Sequence, residues 1–354
     1  MSRSSNILII RLSSLGDVLM SIPAVKAIRD RFPDDHISWL VEGSVGEFLG
    51  GQDFVDEVIF FPRGEASQGL KTGNIVRTGK AVLPFLRRLR EREYDLIIDF
   101  HGIAKSAIFS MIARGRKKIG FGNMYAKEKS HFFYHHRVNG QDKRMHKVER
   151  NMLLAHHLGC ASGVPEVALS ASDEATAFID SFLKKTNAPS VLFAVNPFSS
   201  AGTDFKRWPM ERYGQLITRL NRALGGKTVI LWGPGEEEEA RRLKALAGDA
   251  AVLACPTNIP QLFALLKKAN AYIGGDTGVM HLAVAAGTPV AAIFGPTDVK
   301  VNAPYGARHL VITNNVPCSP CKNRDCKERE CLTQISVDQV FESVMNLYNK
   351  SRAH

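Results

Sequence analysis

GGDTGVMHLAVAAGTPVAAIFGP, residues 274–296, is the stretch that decides the fold. The apolar run 269–273 just before it predicts a short buried strand, and 290–294 predicts a second one. Between them, 281–286 predicts a helix that a glycine and a proline end. A strand, a helix and a strand in this order form one βαβ unit of a parallel sheet.

The turn inside this unit is unusually polar. Glycines and hydroxyls lie at the start of the helix, and Asp276 or Thr277 can cap it. Free amides and the helix dipole favour an anion there, such as a diphosphate. The alternative is an ordinary turn of an α/β protein. A plain turn does not need Asp276, Thr277 and His281 together, so the cluster favours the anion site.

The same alternation of strands and helices runs through the whole chain. Apolar runs predict strands at 6–10, 37–41, 58–61, 94–100, 118–121, 191–195, 228–232 and 252–254. Helical patterns occur at 18–32, 82–92, 106–113, 152–158, 173–184, 210–224, 236–246, 259–267 and 337–348. The chain is therefore predicted to be α/β, with two doubly wound, Rossmann-like domains in tandem and a cleft between them.

This pattern also suggests where the domains begin and end. A segment rich in small and polar residues separates the two alternating halves, and a last amphipathic segment follows the second half. We expect an N-terminal domain, a linker region, a C-terminal domain and a closing helix, at 1–170, 171–189, 190–336 and 337–354.

Composition and charge limit the kinds of partner. The chain has 354 residues and no apolar run of the ~20 residues that a membrane span needs. Its N-terminus lacks the apolar core of a signal peptide, so a cytoplasmic location is expected. The net charge is +11, and 114–150 holds 11 basic residues against three acidic ones. Such a surface suits a membrane face, a phosphorylated glycolipid or a nucleic acid, or it is simply a solvated surface.

Three further residues follow predicted strands, where open α/β sheets bind ligands. Asp17 is suited to remove a proton from a substrate hydroxyl, although capping the next helix explains it equally. Lys206 can neutralise phosphate oxygens, or it is a solvated lysine. Glu236 can accept hydrogen bonds from ribose hydroxyls, or it is one of four glutamates that favour a helix N-terminus.

Cysteines and histidines raise the question of a metal. Four cysteines follow the spacing C-x2-C-x4-C-x4-C, namely Cys318, Cys321, Cys326 and Cys331. In a cytoplasmic chain this spacing predicts either a structural metal site or reduced thiols in a loop. The segment 131–136, HFFYHH, lies in the basic region, and we interpret it as a surface loop with aromatic anchors rather than a metal site.

In combination, these motifs resemble the bacterial lipopolysaccharide heptosyltransferases, glycosyltransferase family 9. The resemblance rests on RLSSLGDV-x4-PA from residue 11, on the lysine-x-tryptophan at 206–208 and on GGDTGVMHLAVAAGTPVAAIFGPTD at 274–298. It extends over nearly the whole chain. The middle, 94–121 with HKVERN after it, is most similar to the heptosyltransferase I branch, whereas the cysteine cluster is a feature of other branches, including heptosyltransferase II-like members.

The resemblance implies a GT-B fold, with an acceptor domain first and a nucleotide-sugar domain second. It implies an inverting transfer of L-glycero-D-manno-heptose from ADP-heptose to the Kdo-lipid A inner core in lipopolysaccharide biosynthesis. The enzyme would work at the cytoplasmic face of the inner membrane as a peripheral protein, without a metal at the reaction centre and without nucleic acid. A heptosyltransferase II-like or other family 9 enzyme with a different acceptor is the alternative.

Residue roles follow by matching motifs. Asp17 would be the general base. The donor would be bound by Ser199, Thr203, Lys206, Glu236, Asp276, Thr277, Gly278 and His281. Candidate contacts to the anionic acceptor are Arg63, Lys71, Arg77 and Lys80.

Two other function classes compete with the transferase. A nucleotide-binding oxidoreductase would carry GxGxxG after the first strand of a half, and neither half has it. A non-catalytic protein that binds metal and nucleic acid would use the cysteines and the basic segment. Neither class explains polar groups after the strands of both halves, so the transferase is favoured.

Overall fold

A computed structural model describes residues 4–187, 191–321 and 323–352. The chain divides into two compact units between Ser170 and Ala171. Within the described residues, each unit contains one six-stranded sheet in which all the paired strands run parallel. Both sheets carry helices as crossovers, which is the α/β arrangement that the alternating sequence predicts.

The first sheet has the strand order β3-β2-β1-β4-β5-β6. Its strands are β1 (Asn6–Ile10), β2 (His36–Glu42), β3 (Glu57–Phe61), β4 (Glu93–Asp99), β5 (Arg114–Phe121) and β6 (His136–Val138). Ile9 of the central strand pairs with Trp39 on one side and with Ile98 on the other. These central strands are continuous apolar runs because helices cover both faces of the sheet.

Seven α-helices of the first unit connect or flank these strands. They are α1 (Leu15–Leu19), α2 (Ile22–Arg31), α3 (Val45–Gly50), α4 (Arg63–Lys71), α5 (Ile75–Leu89), α6 (Ala104–Ile112) and α7 (Lys147–His157), within the described part of the chain. A short 3-10 helix, Ser130–Phe133, lies between β5 and β6. The single helix predicted for 18–32 is wrong, because α1 ends at Leu19 and Pro23, in the first turn of α2, has no amide proton to continue the bonding of α1.

The second sheet has the order β12-β11-β10-β7-β8-β9. Its strands are β7 (Leu192–Asn196), β8 (Lys227–Ile230), β9 (Ala251–Leu253), β10 (Ala271–Gly275), β11 (Val290–Ile293) and β12 (Leu310–Ile312). Its helices are α8 (Asp173–Lys185), α9 (Met210–Leu224), α10 (Glu237–Ala247), α11 (Ile259–Lys268), α12 (Gly278–Ala285), α13 (Val299–Asn302), α14 (Glu330–Thr333) and α15 (Val337–Arg352). The opening stretch is thus β10, α12 and β11, as predicted.

Packing assigns the segments around the second sheet to the second unit. The predicted linker region contains α8, which packs on α11. The last helix, α15, packs on α9 and on the strands β10 to β12, and its Val340, Val344 and Tyr348 are buried in the core of this unit. A separate apolar core lies under the first sheet. Across the described helices, none has the length and apolar character needed to cross a bilayer.

Candidate active site

The polar turn after β10 begins α12. The Thr277 side chain is the N-cap of this helix and accepts a hydrogen bond from the Met280 amide at 3.3 Å. Gly274 allows a close approach of two strands, since a Cβ there would lie 2.8 Å from the Asn196 carbonyl oxygen of β7. The side-chain amide of Asn196 in turn donates to the Thr277 hydroxyl at 3.4 Å. The helix therefore starts directly beside the end of β7, and the positive end of its dipole suits an anionic group.

Lys206 lies next to this turn. It ends the 3-10 turn Asp204–Lys206 that follows β7, and its Nζ lies 3.3 Å from a carboxylate oxygen of Asp276. Both side chains are mostly buried, at 24% and 13% exposure. The structure thus brings together Lys206, Asp276, Thr277 and Gly278, the first residue of α12. A cation beside a helix N-terminus can offset the negative charge of a diphosphate.

His281 and the two predicted hydroxyl residues lie around the same turn. His281 is buried one helical turn after the cap, where its amide bonds the Thr277 carbonyl at 3.4 Å. Ser199 and Thr203 close the loop before Lys206, because the Ser199 hydroxyl donates to the Thr203 carbonyl at 3.0 Å. They shape the loop that carries Lys206.

Glu236 connects to this group through an arginine. Its carboxylate accepts the Gly233 amide at 2.8 Å and lies 3.7 Å from the Arg207 guanidinium. Burial raises the pKa of Glu236, and the Gly233 amide and Arg207 partly offset this effect. Arg207 also donates to the Ser199 hydroxyl at 3.1 Å. The helix α10 starts at Glu237, so Glu236 precedes it and stands at the carboxyl end of β8.

In the first unit, Asp17 lies in a cationic setting beside the end of β1. Its carboxylate is 3.0 Å from Arg11 and 2.8 Å from Lys147, and the Ser14 hydroxyl donates to it at 3.2 Å. The alternative that Asp17 caps the next helix is wrong, because α1 begins at Leu15 with Ser14 at the N-cap position. The two cations hold the carboxylate group of Asp17 in a fixed place.

Near Asp17 lies a histidine that the sequence did not single out. His101 follows β4, and its Nδ1 accepts the Leu12 amide at 3.2 Å. Burial and then the nearby Arg11 lower the pKa of His101 to about 3. The ring is therefore neutral at physiological pH, and its proton resides on Nε2 because Nδ1 is the acceptor. The hydrogen bond of His101 joins it to a residue 89 positions away in the chain, so no local sequence pattern reveals the neutral ring.

The four candidate acceptor contacts lie on α4 and α5. Arg63 is 3.4 Å from Glu42, and Arg77 donates to Gln68 at 2.7 Å. Arg77 and Lys80 share a shallow recess of about 600 Å³ between these helices, whereas Arg63 and Lys71 lie at opposite ends of α4. Contact of these cations with an acceptor stays a prediction.

The four clustered cysteines differ in exposure. Cys318 is exposed, Cys321 and Cys326 are half-buried, and Cys331 is buried. Burial raises the pKa of the Cys331 thiol, and the other three thiols raise it further. Over the described ranges, no group of three or more His, Cys, Asp or Glu side chains has an arrangement that could hold a metal ion. The structural metal stays a prediction.

Comparison with known proteins identifies the family. The family model for glycosyltransferase family 9 (heptosyltransferase) matches residues 82–332. The chain belongs to glycosyltransferase family 9. It is 29% identical to lipopolysaccharide heptosyltransferase 1 of Pseudomonas aeruginosa over 90% of this chain and 87% of that protein. It is 31% identical to lipopolysaccharide heptosyltransferase 1 of Escherichia coli K12 over 86% of this chain and 92% of that protein.

A solved structure of the same family has the same fold. The Escherichia coli heptosyltransferase WaaC with ADP-2-deoxy-2-fluoro heptose is 26% identical, covering 96% of this chain and 99% of that chain, with a TM-score of 0.73. The predicted family, the GT-B fold class and the enzyme class, a glycosyltransferase, are thereby confirmed.

Membership of family 9 gives the two groups of side chains a chemical meaning. A glycosyltransferase needs a base for the acceptor hydroxyl and positive charge for the leaving nucleotide. Asp17 and Lys206 are the residues predicted for these two tasks, and both assignments stay predictions. The sequence missed the supporting residues Arg11, Asn196 and Arg207. A polar residue that ends an apolar strand, as Asn196 does, is the one signal that was available.

Proposed function

We propose that this transferase moves L-glycero-D-manno-heptose from ADP-heptose to a Kdo residue of the lipid A inner core, with inversion at the transferred carbon. The names of the relatives support the sugar and the lipopolysaccharide acceptor, and the ligand of the solved relative supports the ADP-heptose donor. The single observation that carries the donor site is the Lys206–Asp276 pair, 3.3 Å apart, at the N-terminus of α12.

The reaction needs one proton acceptor and one site of positive charge. Asp17 removes the proton of the acceptor hydroxyl while the hydroxyl oxygen forms a bond to C1 of the heptose. The bond from C1 to the β-phosphate oxygen breaks, and its electron pair leaves with ADP. Attack from the face opposite the leaving group inverts the configuration at C1. Lys206 and the amides of α12 stabilise the diphosphate.

Residues beyond this turn complete the proposed donor site. Glu236 accepts hydrogen bonds from the ribose hydroxyls, and Arg207 holds it in place while fixing the loop of Ser199.

Because Lys206 and α12 already supply positive charge, no metal is needed at the reaction centre. We expect the same turnover in excess EDTA as without EDTA. A loss of activity that Mg²⁺ restores would contradict this part.

The donor site is tested by calorimetric titration with ADP and UDP. Lys206→Ala should weaken ADP binding about 10- to 100-fold, the range for one charge-assisted contact. Lys185→Ala, an exposed lysine at the end of α8, is the matched control and should leave the affinity unchanged. A preference for UDP over ADP would overturn the donor assignment.

The base is tested with Asp17→Asn. Turnover should fall about 10²- to 10⁴-fold while ADP affinity stays the same. The control is Asp53→Asn, which changes an exposed carboxylate of the same unit. Turnover within threefold of wild type in the Asp17 variant would rule out this base.

The acceptor is tested with two glycolipids. Kdo-lipid A without heptose and the same lipid already carrying one heptose are offered with ADP-heptose, and the product's anomeric configuration is read by NMR. Transfer to the first with inversion supports the proposed reaction. Transfer to the second alone would instead make the enzyme heptosyltransferase II-like.

A further inference from the structure

Four large apolar side chains are exposed on two neighbouring elements of the first unit. Ile108 and Met111 of α6 are 49% and 54% exposed, and Phe132 and Phe133 of the 3-10 helix are 61% and 38% exposed. The 3-10 helix packs against α6. A surface with several exposed apolar side chains on adjoining elements is typical of a docking site. We call these four residues the α6 patch.

The α6 patch lies on elements that pack against the rest of the first unit. Ile108 and Met111 are three residues apart and share the outer face of α6, because Ser106, Ala107, Phe109 and Ser110 are buried on the other face. The segment before the 3-10 helix is fixed to the start of α6, where the Ala104 amide donates to the Glu128 carboxylate at 3.0 Å. Exposure of the patch is therefore a property of the folded unit and does not come from a frayed end.

Cations lie beside the patch. The strand β5 packs against both α6 and the 3-10 helix, and it contributes the exposed Arg114, Arg116 and Lys117. The guanidinium of Arg137 lies 5.7 Å from the centre of the Phe132 ring. Long cationic side chains at the edge of an apolar surface can reach phosphate groups while the apolar residues enter a less polar layer.

We propose that the α6 patch docks the enzyme on an anionic phospholipid bilayer. Ile108, Met111 and the two phenylalanines enter the boundary between headgroups and acyl chains, and the cations of β5 contact lipid phosphates. A second copy of this chain fits the surface less well, since a two-fold contact would bring two sets of these cations into one interface. A nucleic acid would contact the cations but leave the aliphatic Ile108 and Met111 without a partner.

This docking is separate from the proposed function, because it needs neither donor nor acceptor. It places the first unit, which carries Asp17, at the surface where a glycolipid acceptor resides. Binding is therefore measured with the full chain and plain vesicles that contain no lipopolysaccharide. ADP affinity of the same samples, measured by calorimetry, reports the donor site independently.

The apolar contribution is tested by sedimentation with vesicles of phosphatidylcholine and phosphatidylglycerol. The triple variant Ile108→Ser, Met111→Ser and Phe132→Ser should bind at least about 10-fold more weakly, because it loses most of the apolar area that enters the bilayer. The matched control is Phe178→Ser with Leu246→Ser, which removes two exposed apolar side chains of the second unit. The control should bind vesicles like the wild type, and both should keep the wild-type ADP affinity.

The charge contribution has its own variant. Replacing Arg114, Arg116 and Lys117 with glutamate should abolish the preference for anionic over neutral vesicles, and raising the salt concentration should weaken wild-type binding. Unchanged vesicle binding in the apolar triple variant would overturn the inference. A wild-type dimer that becomes monomeric in the apolar triple variant would also overturn it. The same holds if the charge variant loses RNA binding but keeps vesicle binding.

Discussion

Tyr134→Phe should destabilise the first unit, and it should do so more strongly as the pH rises. Asp99 is fully buried at the end of β4. It accepts the Tyr134 hydroxyl at 2.6 Å and the amides of His101 and Gly102 at 2.8 and 3.1 Å. Burial raises the pKa of Asp99, and the Tyr134 hydroxyl opposes this by stabilising the carboxylate. Phenylalanine keeps the ring and removes only that donor.

The size of the effect follows from the charge. A hydrogen bond to a charged group contributes about 1.5–3 kcal/mol, so the free energy of unfolding should fall by about 2 kcal/mol at pH values where Asp99 is ionised. The variant also has the higher folded pKa at Asp99, since it lacks one stabilising donor. From the ordinary aspartate pKa of 3.8 up to the folded pKa, the native state binds more protons than the unfolded state, and stability falls as the pH rises. In the variant, stability continues to fall up to a higher pH than in the wild type. The difference in stability between the variant and the wild type therefore shrinks at acid pH.

Hydrogen exchange with mass spectrometry measures the effect in each unit separately. In a series of rising pH, the protection of peptides of β4 and β5 should fall by up to about 30-fold, which corresponds to about 2 kcal/mol. Peptides of β10 and α12 serve as the internal reference. Tyr125→Phe is the matched control, because the Tyr125 hydroxyl donates at 2.7 Å to a neutral carbonyl, that of Asp142, and its loss should not depend on pH. An equal loss for Tyr134→Phe at every pH of the series would refute the charge-based reasoning.

Other substitutions test the packing, the neutral histidine and the thiols. Gly274→Ala should lower the free energy of unfolding by about 1–3 kcal/mol, because the new Cβ would meet the backbone of the next strand. Gly79→Ala, inside α5 with open space around it, should raise the free energy of unfolding by about 0.5–1 kcal/mol. Urea titrations measure both changes. The pKa of His101 is lowered to about 3, so the unfolded chain binds an extra proton as the pH falls below 6.5. His101→Gln should therefore remove about 1–2 kcal/mol of the stability loss between pH 7 and pH 5, and an unchanged acid loss would contradict this. Iodoacetamide should modify the exposed Cys318 before the buried Cys331, whose thiol pKa burial raises; peptide mass spectrometry at short times would expose the reverse order.

The sequence predicts the longer elements of the second unit because local signals bound them, but it missed the short β12, α13 and α14. The helix predicted for 210–224 has those limits in the structure, between Pro209 and Gly225, a glycine with a φ of 64°. In the first unit, β6 was missed since His136–Val138 is short and polar. The helix α5 begins at Ile75, earlier than predicted, because Asn74 caps it by accepting the Arg77 amide.

The site was predictable to the extent that parallel strands end together. Lys206 and Asp276 are 70 residues apart, yet each follows a strand, and β7 pairs with β10. This pairing follows from the fold class and brings them to one edge. The roles of Arg207 and His101 instead depend on contacts with residues that come close only after folding, so they could not be predicted.

The placement of α15 has a consequence for how such enzymes diversify. The described part of this last helix packs within the second unit, so each unit is one continuous stretch of chain with its own core. A single recombination crossover near residue 170 therefore exchanges one unit and leaves the other whole. New pairings of the Asp17 unit with the Lys206 unit are accessible in one genetic event, without rebuilding either hydrophobic core.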